Sequence, residues 1–495
     1  MGDLNEDVLT RIFLNLHFIE RVRIETVCRL WHYVLQSHAC FSDMRSLNIA
    51  EFLGNTTSDY YQQESISLAP TIVGIVERCG PYVKSLSFGS RWLKVSQNVV
   101  DCIALNCMQL REIDLGAVIL NADITQLIDN VADRLLVFSL EETSWVNNEH
   151  ANKMTTAFAK FKRLESINLR SAMFSIENIT QLPLSLRHID ISHAHRFSEE
   201  ALVDFLTGHP YLQRIVACRC PVINQDIIDA LSQLKFVQDL DLGFVHDRSY
   251  NLAPLAQLVT LRTLKFQNMS CLNETSLSAI MSNVPFLNSL SIIKCDRVFD
   301  YTSVAFCERL TSITISDTTQ LSDDDIILLA TRCSLRYIRF ANSINVSTEG
   351  ISFALEHCQL EQFHLVNCPA VTDEVMFVLA KSQDSIHAVS VERCTGITSK
   401  GVAALGWLRN IRQLKRLDVS KNRQIDDMAV LSLHNALTMA RRPAPCLSAS
   451  ESDCHKRRKR EASPAKEQSL TLFVAQTSIS SSVEPRVRDL IQLAY

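Results

Sequence analysis

Glycine is scarce in this chain, twelve residues out of 495, and none of the twelve belongs to a Gly-rich phosphate loop. Neither H-E-x-x-H nor G-x-S-x-G occurs, so the familiar signatures of nucleotide binding, zinc hydrolysis and serine esterase chemistry are missing, and intrinsic catalysis is not expected. Basic charge is not in excess either. The formal net charge is -5, which excludes the broad positive field of a non-specific nucleic-acid binder, and no direct nucleic-acid partner is expected. No apolar run approaches the roughly 18 residues needed to cross a bilayer, so no membrane partner is expected. The first dozen residues mix Asp3, Glu6, Asp7 and Arg11 among apolar ones, unlike a secretory signal. With sixteen cysteines, that points to reduced thiols and a cytoplasmic or nuclear location. There is no C-x-x-C pair and no matching Cys/His spacing, so neither a metal nor a cofactor is expected.

What the chain has is a repeat. In residues 360–381, LEQFHLVNCPAVTDEVMFVLAK, Leu360, Phe363 and Leu365 stand in L-x-x-L-x-L order, followed by Cys368 and Val371. Phe363 and Leu365 keep the period of two of a strand, so they share one face while His364 and Val366 take the other. Thr372 or Asp373 can cap a helix in which Val375, Val378 and Leu379 recur at helical spacing. A strand, turn and helix of this size cannot bury its own apolar side; only stacking on a neighbouring copy can.

The copies are there. The same offsets select Leu261/Leu264/Phe266, Leu287/Leu290/Ile292, Leu310/Ile313/Ile315, Leu335/Ile338/Phe340, Ile386/Val389/Val391 and Leu414/Leu417/Val419. Weaker copies start near Val83, Leu110, Leu135, Leu164, Leu186, Leu212 and Val237. About fourteen units of about 22 to 29 residues fall in the range of leucine-rich repeats. The predicted fold is α/β: a curved solenoid with parallel strands on the concave side and helices on the convex side. Cys220, Cys295, Cys368, Cys394 and, in the last copy, Asn422 hold one position after the strand, where a small polar group can bond the backbone of a turn.

Residues 4–36 do not follow the repeat. Val8, Ile12 and Leu16 form one row at spacing four, with Leu9 and Phe13 beside it, and Asn5 can cap this first helix. Ile19, Val22 and Ile24 form a second set; Val27, Cys28, Trp31, Val34 and Leu35 form a third. Three helices in so short a stretch make a small core, and an apolar patch left over on such a unit points to a partner. Leu4, Val8, Leu9, Ile12, Phe13 and Leu16, then Val27-Cys28-Arg29-x-Trp31, resemble the F-box, and with the downstream repeats the chain resembles the F-box and leucine-rich-repeat proteins over about residues 3–440. Asn5 departs from that pattern, which usually has Pro there. The resemblance implies a three-helix F-box docking on a Skp-type adaptor and through it a cullin, with the repeats holding an unidentified protein substrate for ubiquitylation. It assigns adaptor binding to Leu4, Val8, Leu9, Ile12, Phe13, Leu16, Val27, Cys28 and Trp31. A helical cap on the array, or a leucine-rich-repeat scaffold or inhibitor outside any ligase, is the alternative.

The expected domains are the F-box at 1–40, a linker and first repeat at 41–82, the solenoid at 83–440 and a mostly disordered tail at 441–495. Residues 44–52 already read as a strand with Leu47 and Ile49 inward, and 53–70 as a polar surface loop. Between the inward residues of the repeats, Lys265, Arg336, Tyr337, Arg339, His364, Glu392 and Arg416 are the candidate substrate contacts, since Arg and Tyr favour interfaces. Arg336, Arg339 and His364 are expected on adjacent rungs, able to receive an acidic or phosphorylated segment. In the tail, KRRKR at 456–460 reads as a nuclear-import address, a patch for acidic partners or a solvated charge run. Residues 487–493 read as a short helix on the last repeat, or as nothing regular.

Overall fold

Leucine and isoleucine at every second position, each followed by a turn and a helix start, produce in the computed structural model the strand and helix units that the spacing predicts. The structure describes residues 5–53, 69–89, 93–441 and 469–494. Leu4, residues 54–68 of the polar loop and the KRRKR run lie outside the described residues. The chain divides into two compact units, Met1–Val245 and His246–Tyr495.

In the first unit, α1 (Glu6–Phe13), α2 (Phe18–Ile24) and α3 (Arg29–Leu35) precede the array. Parallel strands then pair in order: Ser46–Asn48, Ser85–Ser87, Glu112–Asp114, Val137–Ser139, Ser166–Asn168, His188–Asp190, Arg214–Cys218 and Asp239–Gly243. The array therefore opens within residues 44–52, but only Ser46–Asn48 is strand; residues 50–52 belong to the short helix Ala50–Leu53. The register stacks Leu47, Leu86, Ile113, Phe138, Ile167, Ile189, Ile215 and Leu240 in one buried row. Each such side chain contributes about 1.5–3 kcal/mol relative to exposure. A second, three-stranded sheet of Leu93–Ser96, Val118–Asn121 and Ser144–Trp145 runs beside the early rungs.

In the second unit five-residue strands prevail. Thr263–Gln267, Ser289–Ile293, Ser312–Ser316, Tyr337–Ala341, Gln362–Val366, Ala388–Glu392 and Arg416–Asp418 pair in sequence order, again all parallel. Phe363 and Leu365 are buried and His364 and Val366 are half-buried on the other side, as the alternation requires. One residue after each strand takes a left-handed backbone, among them Asn268, Lys294, Asp317, Asn342, Asn367, Arg393 and Lys421. Asn and Asp tolerate that conformation at least strain, and the Asn367 amide donates to Asn342 and that of Asn342 to Asp317, at 2.7 and 2.6 Å.

Two expectations need correction. Residues 469–494 are not a disordered tail but two further rungs: Leu470–Phe473 pairs with Arg416–Asp418, and Ile491–Ala494, expected in part as a short helix, pairs as a strand with Leu470–Phe473. Gln476 takes the same left-handed turn as its counterparts. The second correction concerns the helix start at Thr372 and Asp373. Thr372 is the N-cap residue but makes no side-chain cap bond, its hydroxyl meeting that of Thr348 at 3.1 Å. Asp373 instead reaches the next rung, accepting from the Thr398 amide and hydroxyl, both at 2.7 Å.

Candidate partner-binding surfaces

The small helical core closes around Leu9, Phe13, Phe18, Val34, Leu35, Cys40 and Phe41, all buried. Asn5 caps α1 as its residue type suggests, its side chain accepting from the Asp7 amide at 2.8 Å. Cys28 caps α3, its sulfur accepting from the Trp31 amide at 3.5 Å, and the half-buried Trp31 ring meets Phe13 edge-on at 5.2 Å. The nine residues assigned to adaptor binding are thus divided. Leu9 and Phe13 are inside and Trp31 packs on Phe13; Leu16 is half-buried; Val8, Ile12, Val27 and Cys28 are exposed. Leu4 falls outside the described residues.

The apolar face left open is larger than those assignments. Val8 and Ile12 are 42% and 46% exposed, Val27 is 60%, and α3 adds Leu30 and Tyr33 at 45% and 64%. Spacing holds the missed signal: Leu30 and Tyr33 are three apart on α3 and both stay exposed, while Val34 and Leu35 are buried. A hydrophobic set of this size on so small a unit is unusual for a surface that meets only water.

A different side of the same helices is tied down by charge. Arg21 is 3% exposed and binds Asp43 through two nitrogens, at 2.6 and 2.5 Å, while also donating to the carbonyls of Leu14, Leu16 and Cys40. The guanidinium holds the Asp43 carboxyl below its ordinary range. Glu25, at the end of α2, pairs at 2.9 and 3.0 Å with Arg78 of the helix Ala69–Cys79.

In the second unit, parallel register sorts the outward side chains of the strands into rows. Lys265, Ser291, Thr314, Arg339, His364, Ser390 and Asp418 share one. Tyr337 and Arg416 belong to the neighbouring row through Gln362 and Ala388, and Glu392 to a third with Ala341 and Val366. His364 stands on the rung next to that of Arg336 and Arg339. Arg336 and Arg339 stand on one rung, and Arg336 lies just ahead of the strand, exposed and paired with Glu361 at 3.0 Å. Glu392 accepts from Lys421 at 2.6 Å.

What the strands do bring together is Arg339, His364 and Tyr337, whose ring lies 5.4 Å from the imidazole. Arg416 comes near enough for its charge to act on His364, and its guanidinium rests over Phe473 at 4.5 Å, a residue of a strand that the sequence pattern does not reveal. Burial, then the charges of Arg339 and Arg416, push the His364 imidazole down to about 4, so it is neutral at pH 7. No carboxylate pairs with Arg339 among the described residues.

The described cysteines are free thiols, and burial pushes Cys220, Cys295 and Cys307 up to about 12, which keeps them protonated and unreactive. Among the described residues no group of three His, Cys, Asp or Glu could hold a metal ion, and no helix is long and apolar enough to cross a membrane.

Comparison with known proteins bears on the helices first and the repeats second. No curated protein matches the sequence. Among solved structures, a Rad7 and Elc1 complex in yeast aligns at 15% identity over 70% of this chain and 88% of that one, with a TM-score of 0.49. An internalin from Listeria monocytogenes aligns at 13% identity over 74% and 92%, TM-score 0.40, and a Leptospira interrogans leucine-rich-repeat protein at 12% over 90% and 98%, TM-score 0.35. These likenesses are weak, and the repeat architecture rests on the strand register itself. Residues 1–43 match the F-box domain family. The chain carries an F-box domain ahead of leucine-rich-repeat units.

Proposed function

We propose that this protein is the substrate-receiving, non-catalytic subunit of a cullin-RING ubiquitin ligase, working in the cytoplasm or nucleus. The F-box docks on a Skp-type adaptor and the outward strand faces hold the protein to be ubiquitylated. One observation carries the reading: an F-box whose core is closed by Leu9 and Phe13 still presents Val8, Ile12, Val27, Leu30 and Tyr33 to solvent. Covering such a face removes apolar surface from water at about 25 cal/mol per Å², enough to drive association.

The alternative role, a cap on the array, draws on other residues. Arg21–Asp43 and Glu25–Arg78 fasten the helices to Asp43, just ahead of the first strand, and to the helix Ala69–Cys79. Neither pair includes a member of the exposed apolar set. One small domain therefore supports both jobs. For the substrate, Arg339, His364, Tyr337 and Arg416 form the group best placed to meet an acidic segment, since arginine takes carboxylate or phosphate oxygens two at a time.

Co-purification from cells tests the reading. Wild-type protein is expected to retain a Skp-type adaptor and a cullin, and Ile12→Asp combined with Val27→Asp to lose both while its circular dichroism and thermal midpoint stay unchanged. Recovery of no adaptor with the wild type would leave a scaffold or inhibitor as the function.

A further inference from the structure

The first unit contains a cleft of about 210 Å³ at the edge where its chain passes from helix to strand. Lys84, Arg111, Arg134 and Arg163 line it together with Met108 and Leu136. Lys84, Arg111 and Leu136 occupy the same place on three successive rungs, immediately ahead of the strands. The Arg111 amide donates to the Lys84 carbonyl at 2.8 Å, and that of Leu136 to the Arg111 carbonyl at 2.7 Å. Adjacent strands lie about 4.8 Å apart, so parallel register places like charges side by side where random surface placement would not.

Four cations in one cleft repel one another unless something neutralises them. No carboxylate lines this one. Asp133, next to Arg134 in sequence, is engaged by Lys162 at 2.5 Å, and Glu165 stands one rung beyond Leu136, outside the cleft. Lys84, Arg111 and Arg163 have no ion pair among the described residues. Arg134 donates through Nη2 to the Asn130 carbonyl at 2.5 Å, but its Nε is buried with no acceptor at all. Apart from that bond, Arg134 too has no ion pair among the described residues.

We propose that this cleft is a binding site for a compact phosphate-bearing anion. A carboxylate brings one charge against four, whereas a diphosphate or a phosphate monoester brings more charge and tetrahedral oxygens that guanidinium forks take in pairs. The phosphoryl group comes either from a small free anion or from a phosphorylated side chain of a bound protein. The site does not depend on the adaptor reading, since no F-box residue enters it.

Titration calorimetry on the full chain at physiological ionic strength, with pyrophosphate in one arm and a phosphoserine peptide in the other, tests the assignment. Saturable binding is expected in at least one arm, with a rise in the thermal midpoint; the arm that binds more tightly identifies the source. Arg111→Glu with Arg163→Glu, both exposed positions, is expected to weaken that binding by at least about tenfold while leaving the fold and adaptor co-purification unchanged. Absence of saturable binding in both arms, or equal binding by the double variant, overturns the proposal.

Discussion

The two units build the same rung and hold successive rungs together differently. Three residues after the second inward residue of each strand from Glu112–Asp114 onward, the first unit places Val118, Thr143, Ala172, Ala194, Cys220 and Val245. At the same place the second unit has Met269, Cys295, Thr318, Ser343, Cys368, Cys394 and Asn422. One series is mainly alkyl and the other mainly polar. In the second unit the polar group is used: Cys368 reaches the carbonyls of Phe340 and Val366, Cys394 those of Leu365 and Glu392, and Asn422 those of Val391 and Val419. Each thus satisfies a turn on its own rung and on the one before. In the first unit only Thr143 and Cys220 reach back in this way, to the carbonyls of Leu115 and Ala194, and at an alkyl position the backbone takes over, for Val118 itself opens the middle strand of the small second sheet. A buried turn carbonyl must be satisfied, but it is indifferent to whether side chain or strand does it.

The sharpest way to break this contrast is at Asn422, which is 1% exposed and donates at 2.7 and 3.1 Å. Asn422→Leu removes both donors from buried carbonyls and is expected to lower stability by about 2–4 kcal/mol. Asn422→Cys, which installs the choice made one and two rungs earlier, is expected to restore about half of that loss. Urea unfolding with hydrogen exchange across residues 388–425 reads both; equal losses for the two variants would mean that volume, not hydrogen bonding, decides the position.

A second contrast lies at the helix starts. In the second unit, Asp323 accepts from the Ser347 amide at 2.9 Å and from its hydroxyl, Asp373 binds Thr398 in the same way, and Asp427 binds Ser480 at 2.7 Å twice. Glycine stands three residues after two of these partners. A Cβ on Gly350 would lie 2.3 Å from Asp323 Oδ1, and one on Gly401 2.3 Å from Asp373 Oδ1. Gly350→Ala must therefore expel Asp323 from its bonds, and a loss of about 1–3 kcal/mol is expected. Combining it with Asp323→Ala is expected to add much less than the sum of the single changes, because both remove the same clasp.

How far these features are readable depends on the distance over which they are made. Alternation at Phe363 and Leu365 is a local property, and so are the Asn5 cap and the separation of inward from outward residues. The last two rungs escape the repeat pattern although Leu470, Leu472 and Val474 alternate correctly, because residues 442–468 interrupt the spacing that makes every earlier copy recognisable. Arg21–Asp43 and Glu25–Arg78 join residues far apart in sequence, and their partners have no mark distinguishing them from solvated charges. The same holds for the cleft around Arg111 and Arg134, assembled from successive rungs. Arg336 and Arg339 look equivalent by composition; only the start of the strand at Tyr337 separates them.

The smallest effect concerns protons on the outward strand face of the second unit. Burial and the flanking Arg339 and Arg416 hold His364 near 4, whereas Asp418 acts in the opposite direction and His387 adds to the arginines. In the unfolded chain the same imidazole titrates near 6.5. Between those values the unfolded state binds more protons, so stability is complete above about 6.5 and declines as the pH falls towards 4. Because the ring is only partly buried, solvent screening limits the effect to about 1 kcal/mol. His364→Gln is expected to remove that part of the difference in unfolding free energy between pH 7 and pH 5. An acidic ligand seated on Arg339 and Arg416 would cancel the two charges that depress the imidazole, raise its proton affinity and so bind more tightly at pH 5 than at pH 7. A pH-independent affinity in the wild type, or the same pH dependence in His364→Gln, would separate that face from the recognition of acidic segments.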